Sequence, residues 1–330
     1  MKTKLLILVV LFMIFQGCRK SKCPEPEPNA ETSVVNQLRV TDTLYAVYMT
    51  SNKVGYIVGG YGKAYKTTDG GQNWEKMNVP DTKNLNSVHF INATTGFISS
   101  NSGNLYKTVD AGKTWNVVST GIPAGTIFNN TYFENSTTFY LMGIGLYKTT
   151  DGGNTFVQLN IGTTSPAFNL HILSNGTMML GCGYGTIMRS TDGGNTWTTS
   201  SSPVPSPSPY NISDFYFLSN TVGYSTAYLG SGYGQSIILK TTDGGITWTS
   251  VTNPDTSTYG TYKNICFINN SVGYIMGGDN VNQVGKYLKT TDGGATWTVV
   301  YSNTERLTNQ FILNGTAYGV GYGGTFITIN

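Results

Sequence analysis

Charge is scarce in this chain. Across 330 residues, Asp, Glu, Lys and Arg make up 11%, and the net charge is only +3. No basic stripe forms, so the electrostatic footprint of a nucleic-acid binder is missing. Arginine is rarer still: Arg19, Arg39, Arg189 and Arg306 lie far apart along the sequence. There are two histidines and four cysteines, and none has the spacing of a metal site. The apolar run from Leu5 to Phe15 is too short for a stable bilayer span. What the chain has instead is 41 glycines and 22 tyrosines, with abundant Thr and Asn. That composition suits an all-β fold of short strands joined by tight turns.

One stretch recurs. Tyr65-Lys66-Thr67-Thr68-Asp69-Gly70-Gly71-Gln72-Asn73-Trp74 returns with its acid at Asp110, Asp151, Asp192, Asp243 and Asp292. Trp115, Phe156, Trp197, Trp248 and Trp297 close the later copies, so all five tryptophans fall at such an end. Each copy reads as strand, turn, strand. The alternating Tyr-Lys-Thr-Thr is rich in β-formers. Asp bonds its own backbone two residues on, and Gly accepts positive φ. The indole then lands beside the turn as an apolar plug. Six carboxylates at one repeated structural position cannot share one active site. They are read as turn-stabilising, with no catalytic or metal role.

The acids are 41 residues apart as far as Asp192, then 51 and 49. A period near 41 fits a four-stranded propeller blade. Working back from each motif gives strands A to D, for example Val88–Asn92, Gly96–Ser99, Leu105–Thr108 and Thr114–Val118. After the sixth motif the pattern runs once more and stops at Asn330 without a D strand. The segment from Ser33 to Leu38 precedes the first A strand, Leu44–Met49, and supplies the missing piece. The expectation is an all-β, seven-bladed β-propeller of four-stranded antiparallel blades over residues 32–330, closed by an N-terminal strand completing the last blade.

The first residues read differently. A basic Met1-Lys2-Thr3-Lys4, the apolar run, and then Phe15-Gln16-Gly17-Cys18 resemble a bacterial lipobox. The resemblance implies a signal over residues 1–17, acylation of Cys18, and an exported, membrane-anchored lipoprotein. Residues 18–31, with Pro24-Glu25-Pro26-Glu27-Pro28, read as a flexible tether holding the domain off the membrane.

In a propeller the A strands line the channel. The D-to-A and B-to-C loops should form one face, with the repeated turns on the other. His89 and His171 share a column with Tyr48, Tyr132, Tyr216 and Cys266, which marks an inter-blade packing position. Cys182 and Cys266 belong to blades that are not neighbours, so they are read as packed small residues. Four Gly-Tyr-Gly triplets place Tyr61, Tyr184, Tyr233 and Tyr322 at matching B-to-C positions, as an aromatic collar for a sugar or an extended peptide. Asp255 and Asp279 are expected to reach the same face.

The repeated turn resembles the Asp box of bacterial neuraminidases. Val54-Gly55-Tyr56-Ile57-Val58-Gly59-Gly60-Tyr61-Gly62 followed by the Asp box resembles the photosystem II assembly and stability factors, seven-bladed propellers. That resemblance covers about residues 33 to 330, and implies a non-enzymatic scaffold that binds partner proteins. The photosystem role itself uses an Arg-rich patch, which four scattered arginines do not supply. For the same reason the three-arginine clamp of a sialidase cannot be assembled. A glycosidase pair would have to come from Asp81, Asp214, Asp255, Asp279, Glu134 and Glu305, and nothing near them marks acid and base roles. The expectation is therefore a monomeric protein-binding module with no cofactor, whose partner is a protein or a glycan of the cell envelope.

Overall fold

The computed structural model describes residues 34–37, 42–123, 125–230, 234–255, 260–279 and 284–329. Its strands form seven four-stranded antiparallel sheets. In the first blade the order is Leu44–Met49, Gly55–Gly59, Ala64–Thr67 and Glu75–Met77, from A to D. Five further blades repeat it. In the last, Leu307–Leu313, Thr316–Gly321 and Thr325–Ile329 are completed by Val34–Gln37. Val34 pairs with Thr328 and Gln37 with Thr325. The expected closure is therefore present, and it covers the edge that a three-stranded sheet would expose.

The blades grip one another through apolar side chains. Tyr56, Val58 and Ala64 of the first blade pack with Leu85, Phe90, Ile98 and Trp115 of the second. The Tyr56 and Phe90 rings stack 3.8 Å apart. Around the inner strands runs the column that holds both histidines. Tyr48 donates its hydroxyl to the Phe90 carbonyl of the next blade at 2.9 Å, and Tyr216 does the same to Phe267 at 3.0 Å. His89 fills the corresponding place in the second blade, stacked on Phe133 with centroids 4.2 Å apart. His171 lies 5.3 Å from the Phe217 ring. Burial lowers both imidazoles to about 4. Cys182 and Cys266 are free thiols in the buried core.

The Asp boxes are hydrogen-bonded turns. Asp192 accepts from the Thr196 N–H at 2.9 Å, the Thr196 hydroxyl at 2.6 Å and the Ser190 hydroxyl at 2.8 Å. The equivalent bonds recur at Asp110, Asp151 and Asp292, where the Thr hydroxyl four residues on is the main cause of carboxyl pKa values held at about 2. Trp74 and Trp197 donate their indole N–H to Gly71 and Gly194 of their own turn. Trp115, Trp248 and Trp297 are buried with that N–H unpaired. Filling space therefore outweighs the indole hydrogen bond at these three places.

Two sequence-based boundaries shift. The second A strand begins at Leu85 and ends at Phe90, earlier than expected. Between the last two blades the D-to-A loop expected on the binding face shrinks to one residue, Arg306. The D strand Thr298–Glu305 runs directly to the A strand at Leu307, because its partner Val284–Thr290 is long enough to pair as far as Glu305.

A chain beginning at Asp42 loses the four-residue ladder to the last blade. At a net value near 1 kcal/mol per hydrogen bond, it should be about 3 kcal/mol less stable and should self-associate through the bared edge. Calorimetry with sedimentation checks this, and an unchanged melting temperature contradicts it. Stability should also fall with acid in two stages. The buried histidines bind no proton in the fold until near pH 4, whereas unfolded His binds one near 6.5, so stability drops as pH falls through that interval. The Asp boxes then add a second loss between the unfolded Asp value, about 3.9, and about 2. Replacing His89 and His171 with Phe should remove the first loss in melts recorded across pH and leave there a shallow opposite slope from Asp214, whose carboxyl burial raises to about 7.

Candidate functional site

The channel wall has a regular irregularity. Every A strand carries a β-bulge at the same point, at Tyr45, Asn86, Asn129, Phe168, Ser213, Lys263 and Thr308. A bulge leaves a residue out of the ladder and re-aims its side chain. Six of these seven side chains, all but Ser213, line a cavity of about 430 Å³ inside the ring. Asn86 donates to the Phe128 carbonyl of the next blade at 2.7 Å, and Asn129 to Ala167 at 3.0 Å. Thr308 donates to Leu44, which joins the last blade to the first. One position further on, Asp214 accepts from the Phe215 and Ile265 N–H groups, each at 2.9 Å, and so ties the fifth blade to the sixth. Burial raises its carboxyl to about 7 against those bonds.

The two faces are built as expected. Asp-box turns meet the A-to-B turns, as in Gly70 N–H to Lys53 at 2.8 Å and Gly293 N–H to Ser271 at 2.8 Å. On the other face, two B-to-C turns reach over to the next blade. Gly62 N–H donates to Lys83, and Gly185 N–H to Tyr210, both at 2.7 Å. Glycine is required there. The two have φ of 69° and 74°, and a Cβ would stand 1.9 Å from the Asp81 oxygen or 2.3 Å from the Pro205 oxygen.

Immediately before these glycines stand Tyr61 and Tyr184, 76% and 54% exposed, at φ of 54° and 58°. A left-handed backbone is costly for a bulky side chain. No packing gain offsets it here, because both rings face solvent. Tyr322 does not match them. Gly60 N–H bonds Thr43, Gly183 N–H bonds Pro166, and Tyr322 N–H bonds Arg306, which aligns Tyr322 with the two glycines. Its ring sits one position earlier, turns inward, and carries the Arg306 guanidinium 4.1 Å above it. Burial pushes the Tyr45 phenol up, and neighbouring Tyr322 and Tyr61 add to the effect, so these three rings gather at one side of the channel mouth. Tyr233 lies outside the described residues, as does Cys18. The collar is thus two strained outward tyrosines and one inward one.

Asp255 and Asp279 do not reach the face. They are 5% and 4% exposed, and both carboxylates flank Lys286 at 3.6 and 3.8 Å. Tyr262 also donates to Asp255 at 2.5 Å. A buried ammonium shared by two carboxylates holds the long strands of the sixth blade, and leaves neither acid open to a substrate. Among the described residues no group of His, Cys, Asp and Glu is placed to hold a metal ion. Sequence reasoning missed Lys263 and the bulges. Their only trace is a polar or bulky residue one or two places before the apolar part of each A strand.

Comparison with known proteins agrees with this architecture. A family model described as photosynthesis system II assembly factor YCF48 matches residues 27–158. Among curated proteins nothing matches. A solved structure of YCF48 bound to D1 peptide is similar at 16% identity and a TM-score of 0.72, covering 92% of this chain and 98% of that one. YCF48 from Cyanidioschyzon merolae is similar at 14% identity and a TM-score of 0.70, covering 91% and 99%. An ancestral GH74 enzyme is also similar at 14% identity and a TM-score of 0.70, covering 89% of this chain but 46% of the enzyme. At these identities the likeness is one of fold. The chain is an Asp-box β-propeller that resembles the photosystem II assembly factor family.

Proposed function

We propose that this protein is an exported, lipid-anchored propeller that binds a protein partner through the face made by its D-to-A and B-to-C loops. The observation that carries this reading is the pair Tyr61 and Tyr184, exposed rings in a left-handed backbone on a rigid rim. Strain of this kind collects at sites of recognition, where it is offset by what the side chain binds. Tyr also supplies large contact area at little entropy cost. The similar fold of YCF48, solved with a D1 peptide, supports peptide binding by a propeller of this kind. An enzymatic role is disfavoured because the two acids best placed by sequence are enclosed around Lys286. The lipid anchor rests on Cys18 in its lipobox-like setting.

Tyr61→Gly and Tyr184→Gly separate fold from function. Glycine relieves a left-handed cost of about 1–2 kcal/mol, against an entropy cost of about 0.5–1 kcal/mol. The melting temperature of the double variant should hold or rise, while capture of envelope proteins by the mature domain should drop at least tenfold. Undiminished capture rejects the face, and signal only on a glycan array transfers the reading to carbohydrate. Separately, Cys18→Ser should move the protein from the membrane to the soluble fraction and abolish palmitate labelling. A variant still labelled and membrane-bound rejects the anchor.

A further inference from the structure

The channel mouth has a charge pattern that the outer tyrosines do not explain. Among the described residues Lys263 is the one charged side chain lining the cavity, and it gets there through the bulge of the sixth A strand. Among the described residues its ammonium has no carboxylate within ion-pair distance. It lies 4.7 Å from the Tyr228 ring. Asp214 of the adjacent blade is not among the lining residues and spends its oxygens on the Phe215 and Ile265 N–H groups. Arg306 stands at the same mouth, stacked on Tyr322. A cation inside and no acid in the lining favour a negatively charged occupant.

The neutral lining narrows the choice. Asn86 and Asn129 use their N–H groups on backbone carbonyls of the next blade, so each leaves its amide oxygen as an acceptor. Asn101 accepts from Asn86 at 2.5 Å and keeps its own N–H groups. Asn309 brings both kinds. Donors and acceptors therefore both face a space of about 430 Å³, within the range of ligand pockets. An extended backbone presents N–H and C=O groups to match both.

We propose that this cavity binds an extended peptide carrying a carboxylate, with Lys263 as its counter-charge and the Asn86, Asn101, Asn129 and Asn309 amides reading its backbone. The proposal rests on the protein-binding reading above and names the chemistry of the segment inserted. The carboxylate comes from a free C-terminus or from an Asp or Glu side chain. A bound carboxylate would meet Lys263 in a half-enclosed, poorly solvated space, where a charged hydrogen bond gains strength.

The test begins with the mature domain and peptides selected on it from a random ten-residue library displayed with free C-termini. Each selected peptide is then made with a C-terminal acid, with a C-terminal amide, and with its Asp and Glu replaced by Asn and Gln. Anisotropy should show at least a tenfold loss for one of the two altered forms, which identifies the source of the carboxylate. Lys263→Met should lose affinity by at least tenfold, Lys263→Arg should retain it, and the wild-type affinity should fall steeply with salt. Peptides indifferent to Lys263→Met, or a selection that yields none, overturn the proposal. So does binding confined to a hyaluronan oligosaccharide carried as a control, which assigns the pocket to an acidic glycan. Envelope capture is run in parallel with the Lys263→Met variant. Full capture with lost peptide binding upholds the proposal, with the partner's grip then resting on the outer face. Full capture with intact peptide binding removes the channel proposal and leaves the outer face standing. No capture even by wild type removes the broader reading.

Discussion

The structure depends on hydrogen bonds passed from one blade to the next at its inner wall. A propeller blade is an open four-stranded sheet, and nothing in its own ladder tells it where its neighbour should sit. Here the bulge in each A strand breaks the ladder at one point, and the displaced side chains of Asn86, Asn129 and Thr308 reach the following blade. Asp214 does the same by accepting from the Ile265 N–H. Apolar packing between blades is strong but non-directional. These polar links fix the angle and register at which that packing occurs, and an unmade one would leave a buried backbone group unpaired.

Further from the axis the same logic recurs in other chemistry. Tyr48 and Tyr216 bond the carbonyl of the next inner strand. Lys66 donates to the Ala111 carbonyl of the next Asp box at 2.8 Å, and Arg189 to Gly244 at 2.9 Å. On the loop face, Gly62 and Gly185 bring their N–H groups close enough to do the same. The motif that dominates the sequence is one layer of a radial network. Its conspicuous aspartates finish turns, and the less conspicuous cations beside them join blades.

Much of the fold was legible because repetition is itself a signal. The Asp-Gly-Gly turns and their aromatic plugs set the blade count, and the unpaired last unit pointed to the segment before Leu44. The site was harder to read. A bulge is a backbone event that leaves only a faint mark in sequence, so nothing in the sequence marks Lys263 as a channel residue. Tyr322 shares a Gly-Tyr-Gly triplet with Tyr61 and Tyr184, yet its turn is one residue out of phase, which only the Arg306 hydrogen bond reveals. Asp255 and Asp279 belong to loops by their spacing. Lys286 draws both inward, and neither ion pair has a spacing that marks it in the sequence.

The strand that closes the circle has a mechanical meaning. Any tension on the segment preceding Val34 is delivered first to its pairing with Thr325–Thr328, a seam of four residue pairs. Because the strands are antiparallel and only four residues deep, a tug there separates their bonds in succession, at low force. The seventh sheet would open while the other six, each continuous in the chain, stayed shut. A propeller held by its leading end would therefore behave as a clasp that yields at one chosen hinge.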